Sequence, residues 1–152
     1  MKYLLTYLCT TIILISAEAQ TSSPGKDMQT MENNMKSWAQ KNGYRLLIKF
    51  AEHNDGSFYA EPNQDYAVFY LYQFNADKAP AFKAYLMTPS DSLRQKYTAH
   101  PTEVASSGTS GGQVLQFSTN KKMLEGKTKL PVKLEAKPKA RMYVYHKTRK
   151  AS

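Results

Sequence analysis

The sequence predicts a mainly β fold: a small antiparallel β-sandwich of six or seven strands, Ig-like or transthyretin-like, with one N-terminal amphipathic helix packed on it. Three observations carry this prediction. Apolar residues recur at helical spacing in one segment only, near the start of the chain. From Tyr44 onward the apolar period falls to two, and turn-forming residues interrupt that pattern at short intervals. The alternation of strand and helix patterns that a parallel sheet requires is absent.

The helix is read from Met28, Met31, Met35 and Trp38, which share one face, with Gln29, Glu32, Asn33 and Lys36 between them. Asp27 is a suitable N-cap and Gly43 a suitable C-terminal stop, so the helix is expected over residues 28–42. Tyr44, Leu46, Ile48 and Phe50 then alternate with Arg45, Leu47 and Lys49 as a first strand. Asn54-Asp55-Gly56-Ser57 predicts a tight hairpin turn, because Asp-Gly readily takes positive φ. Residues 66–74 are apolar on both faces and predict a central strand; Phe82, Ala84 and Leu86 line another. Pro89-Ser90-Asp91-Ser92 predicts a helical turn or two reaching Tyr97. Residues 105–112, small, polar and glycine-rich, predict a mobile loop before a strand at residues 114–118. Residues 130–136 and 140–148, joined by Lys137-Pro138-Lys139, predict a closing hairpin.

The ends and the composition bound the class. Residues 1–19 have the parts of an export signal: Lys2, an apolar run from Leu4 to Ala17, and a small-x-small site at Ala17-Glu18-Ala19. The run is shorter than the roughly 18 to 20 residues that span a bilayer. The expected product is therefore exported, periplasmic or extracellular, with no transmembrane segment. Residues 20–26 read as a flexible leader, and residues 27–150 as one domain. Cys9, the only cysteine, would be lost with the signal, leaving stability to packing alone.

Charge is segregated. The net charge is +9, yet up to Asn120 ten Lys and Arg balance ten Asp and Glu. From Lys121 onward eleven cations face only Glu125 and Glu135. In the closing segment Leu130, Val132, Leu134, Ala140, Met142 and Val144 occupy even positions, so odd positions share the other face. These odd positions include Lys133, Lys139, Arg141, Tyr143, Tyr145, Lys147 and Arg149. Cations interleaved with tyrosines suit an anionic partner: charge attracts sulfate, phosphate or carboxylate, and rings stack on sugars. The same lysines also guard an edge strand against aggregation. The expected function is an exported, non-enzymatic binding or accessory protein whose basic, tyrosine-bearing hairpin meets an anionic polysaccharide, an envelope surface or an acidic protein. Nucleic acid fits the charge but not the compartment.

Other motifs point to other classes. Gly108-Thr109-Ser110-Gly111-Gly112 matches G-x-S-x-G, which in a small secreted hydrolase places a nucleophilic serine between a strand and a helix. Asp55 and Glu61 offer a carboxylate pair for acid-base chemistry, and with His53 and Asp65 they form a candidate metal cluster whose spacing fits no ligand motif. A third expectation is a subunit of a secreted assembly, docking through a sheet edge or the methionine stripe. Phosphate loops, dinucleotide fingerprints and C-x-x-C are absent, and no cofactor is expected.

Overall fold

A computed structural model describes residues 24–75, 77–88 and 95–150. Residues 1–19, expected as an export signal, and the first residues of the expected leader lie outside them. One helix, α1 (Pro24–Lys41), precedes seven strands: β1 (Arg45–Ala60), β2 (Gln64–Gln73), β3 (Ala81–Leu86), β4 (Gln95–Thr98), β5 (His100–Ser107), β6 (Ser110–Ser118) and β7 (Leu130–Thr148). All pairings are antiparallel, in the order β4-β3-β7-β2-β6-β5, with β1 along the other side of β7. The mainly β character, and one helix among the described residues, are as expected. The strands nonetheless belong to one coiled, nearly barrel-shaped sheet, and the Ig-like or transthyretin-like division into two sheets is not found among the described residues.

Two expected hairpins are instead long bent strands. β7 runs without a reversal through Lys137-Pro138-Lys139, pairing with β3 over its first half and β2 over its second. β1 follows it throughout, from Arg45 opposite His146 to Ala60 opposite Leu130. Between the pairs His53–Ala140 and Asp55–Glu135, Asn54 alone faces residues 136–139 of β7. The surplus residues bend both strands into a corner, as in sheets that fold over orthogonally. Asn54 Nδ2 donates to the Ala136 carbonyl at 3.0 Å, supplying a bond that the interrupted ladder does not. Gly56 sits in the corner because a Cβ there would lie 3.3 Å from the Phe50 ring. Turn-forming residues thus serve a corner within a strand.

Coiling creates two cores. Inside lie the even positions of β7, as the alternation predicts, with Val68, Tyr70 and Tyr72 of β2, Phe82, Ala84 and Leu86 of β3, and Leu115 and Phe117 of β6. Tyr70 stacks on Phe82 at 4.7 Å and donates its hydroxyl to the Lys83 carbonyl at 3.1 Å, so the buried ring leaves no polar group unpaired. The second core lies outside the sheet. There Met28, Met31, Met35 and Ala39 of α1 pack on Ala67, Phe69 and Leu71 of β2, Val114 of β6, and Tyr143 and Tyr145 of β7. The methionine stripe is spent on the chain's own sheet.

Three local expectations change. The helix starts at Pro24, which suits a first helical turn. Asp27 therefore lies inside α1, and its carboxylate accepts from the Thr109 N–H (2.8 Å) and hydroxyl (2.9 Å), tying the helix to the β5–β6 turn. Tyr97, expected in a helical turn, is in β4, where it stacks on Phe117 at 4.8 Å; residues 89–94 lie outside the described residues. The expected loop at residues 105–112 is a hairpin in which Ser107 faces Ser110 across Gly108-Thr109. Its glycines permit close packing: a Cβ on Gly111 would stand 2.7 Å from the Tyr72 ring.

Candidate functional site

The odd face of β7 is continuous in sequence and divided in space. α1, with 18 residues, packs on β2 and β6 and reaches Tyr143 and Tyr145 in the second half of β7, while among the described residues no helix lies over the first half, which pairs with β3. The predicted residues separate accordingly.

Beneath the helix, the aromatic groups are internal. Tyr143 and Tyr145 are only 2% and 6% exposed. The Tyr143 hydroxyl donates to Glu32 of α1, and Tyr145 meets Phe69 edge-on at 5.7 Å. Burial raises both hydroxyls above the ordinary tyrosine pKa, and the nearby Glu32 charge adds to it. Arg141 Nη1 lies 3.5 Å from Glu32 Oε1, and Lys49 Nζ lies 3.8 Å from the same oxygen. Burial acts to raise the Glu32 carboxyl; the Tyr143 hydrogen bond and the Lys49, Arg141 and Lys36 charges outweigh it and hold the group below its usual value. Lys147 donates to the Asn42 carbonyl at 3.3 Å and sits 4.6 Å above the Tyr44 ring. Arg149 lies 3.4 Å from Asp65 and donates to the Thr119 carbonyl. Arg141, Lys147 and Arg149 thus have partners within the chain, and together with Tyr143 and Tyr145 they fix the helix and the chain end.

The uncovered half differs. Lys133, Lys137 and Lys139 are exposed. Register places Tyr85 of β3 between Lys133 on one side and Lys96 of β4 on the other, and Lys83 between Glu135 and Thr98. Directly opposed residues share a face with Cβ atoms about 4.5 to 5.5 Å apart. Lys96 and Lys133 are therefore directly opposite one tyrosine ring, with Lys83 two residues along β3, while Lys137 lies four residues further along β7 opposite Ala81; the carboxylates of Asp55 and Glu135 share that face. The Tyr85 hydroxyl bonds Glu135 at 3.3 Å, which fixes the ring's tip and leaves its body among the lysines. Lys139 stands apart, lining a shallow depression with Glu52 and Phe74.

Of the predicted set, only Lys133 belongs to this cluster; Lys83, Tyr85 and Lys96 were missed. The alternation of Phe82, Ala84 and Leu86 already turns Lys83 and Tyr85 outward. Their nearness to Lys133 depends on β3 pairing with β7 some 50 residues away, which no local pattern states.

The remaining candidates do not assemble. Ser110 is fully buried on β6, facing Gln73 and Ser107, with its hydroxyl unpartnered. It follows a strand-turn-strand hairpin, so the strand-to-helix elbow is not formed. Asp55 faces Glu135, whereas Glu61 pairs with Lys129 at 3.3 Å, and six residues of extended strand, about 20 Å at the usual rise, separate the two carboxylates. Among the described residues no group of three or more His, Cys, Asp or Glu comes together to hold a metal, and no helix is long and apolar enough to cross a membrane. No protein family, curated protein or solved structure matches the chain.

Proposed function

We propose that the protein is an exported, non-enzymatic binding or accessory protein that holds an anionic polysaccharide on the outer face of β3, β4 and the first half of β7. The observation that supports this reading most is the grouping of Lys83, Lys96 and Lys133 around Tyr85 on the half of the sheet that α1 leaves uncovered. Repeating sulfates or carboxylates would meet the ammonium groups, and a sugar ring would lie on the tyrosine. An extended partner matches a row of side chains carried on three paired strands better than a small anion does. The envelope surface and an acidic protein share the charge but do not call for the ring.

The test is retention on immobilised heparin at rising salt. Tyr85→Ala, which leaves every charge in place, is expected to elute at lower salt than the parent. Elution of Tyr85→Ala with the parent would remove the sugar-stacking role and, with it, the preference for polysaccharide.

A further inference from the structure

Coiling brings the two ends of β1 to one cleft. Leu47 and Ile48, near the start of that strand, face Phe58 and Tyr59, near its end, across a cleft of about 380 Å³ floored by Tyr66. This volume lies within the range of small-molecule sites. Leu47, Ile48 and Tyr59 are 43%, 37% and 64% exposed, so three of the five exposed large hydrophobic side chains among the described residues line one cleft. Concentrated apolar exposure of this kind marks a surface that something covers.

Polar groups gather at its rim. His146 lines the cleft, half-buried, with its ring stacked over Tyr66 at 6.4 Å. Arg45 is directly opposite His146 in the β1–β7 register and is exposed. Lys129 lies 3.3 Å from Glu61, and both line the cleft. The one carboxylate lining the cleft is thus already matched by Lys129, and Arg45, exposed opposite the imidazole at the rim, adds a positive charge beside the apolar wall.

We propose that this seam binds a small amphiphile with an apolar body and a single carboxylate, of the size of a medium-chain fatty acid. The chain lies along Leu47, Ile48, Phe58 and Tyr59, and its carboxylate sits at the rim between Arg45 and His146. A neutral alcohol of the same length would gain the apolar contacts and forgo the charge. The site uses none of the lysines around Tyr85, so it stands or falls separately from the polysaccharide reading.

The experiment titrates the purified protein with decanoate and separately with decanol, each below its solubility limit, by calorimetry. Decanoate is expected to bind saturably, one per chain, and at least tenfold more tightly than decanol. Leu47→Asp and Tyr59→Ala, both at exposed positions, are expected to weaken decanoate at least tenfold while the thermal unfolding transition remains. Arg45→Gln is expected to bring the acid and the alcohol within threefold of one another, and Lys133→Gln is expected to change nothing. Absence of saturable decanoate binding, equal binding of decanol, or binding that survives both Leu47→Asp and Tyr59→Ala overturns the proposal.

Discussion

Glu32 shows how much of the basic strand is committed to holding α1. In Glu32→Ala the Tyr143 hydroxyl, 2% exposed as a residue, loses its acceptor beneath the helix. An unsatisfied buried donor costs about 1 to 3 kcal/mol. Lys49 and Arg141 add little, because their side chains are 52% and 43% exposed and stay hydrated when the carboxylate goes; such pairs contribute about 0 to 1 kcal/mol. The expected loss is thus about 2 kcal/mol, measured by urea unfolding at neutral pH. Glu32→Gln keeps an acceptor for Tyr143 and gives up only the charge, so it is expected to cost about half as much. The pH dependence has a definite sign. The folded carboxyl lies below its usual 4.5, so its ionisation contributes stability that is present above that value and lost as pH falls through the folded pKa. The gap between parent and Glu32→Gln is expected to close in acid. A loss below about 0.5 kcal/mol for Glu32→Ala, or a gap that persists unchanged down to pH 2, would refute the reasoning.

Other substitutions probe the packing of the fold. Ser110→Ala removes a buried hydroxyl that has no partner, so stability at neutral pH is expected to hold or to rise by about 1 kcal/mol in the same urea assay. Gly111→Ala forces a methyl to within 2.7 Å of the Tyr72 ring and is expected to lower stability by about 1 to 3 kcal/mol, seen as a lower Tm. Leu134→Ala, at the first-half core of β7 and 1% exposed, is expected to cost about 2 to 5 kcal/mol. Tyr70→Phe removes a hydroxyl bonded to the Lys83 carbonyl and is expected to cost about 1 kcal/mol by urea unfolding.

Alternation was the most legible part of the chain. Even positions from Leu130 to Val144 other than Pro138 point inward as their period requires, and the stripe of Met28, Met31 and Met35 is buried as its spacing requires. The corners were misread for a chemical reason. Asn54, Gly56 and Pro138 are the residues that close a tight turn, and they are also the residues a strand needs to bend through a bulge. What separates the two outcomes is pairing across 82 positions, as between Asn54 and Ala136, which nearby residues do not encode. The candidate site followed from that error. On a two-stranded hairpin all seven predicted residues would share one surface; on a single strand passing beneath a helix, Tyr143 and Tyr145 become core and Arg141 becomes a tether. The charge excess at the chain end was real, but the cations divide between holding the fold and facing solvent.

Two variants with equal charge removed test that division of the cations. Lys133→Gln with Lys137→Gln removes two cations from the uncovered half of β7; Arg141→Gln with Lys147→Gln removes two from the half beneath α1. Each pair lowers the net charge by two. Salt-gradient elution from immobilised heparin is expected to fall sharply for the first pair and to change little for the second, whose side chains already serve Glu32 and Asn42. Equal elution of the two pairs would mean that overall charge alone governs binding, and would contradict the account.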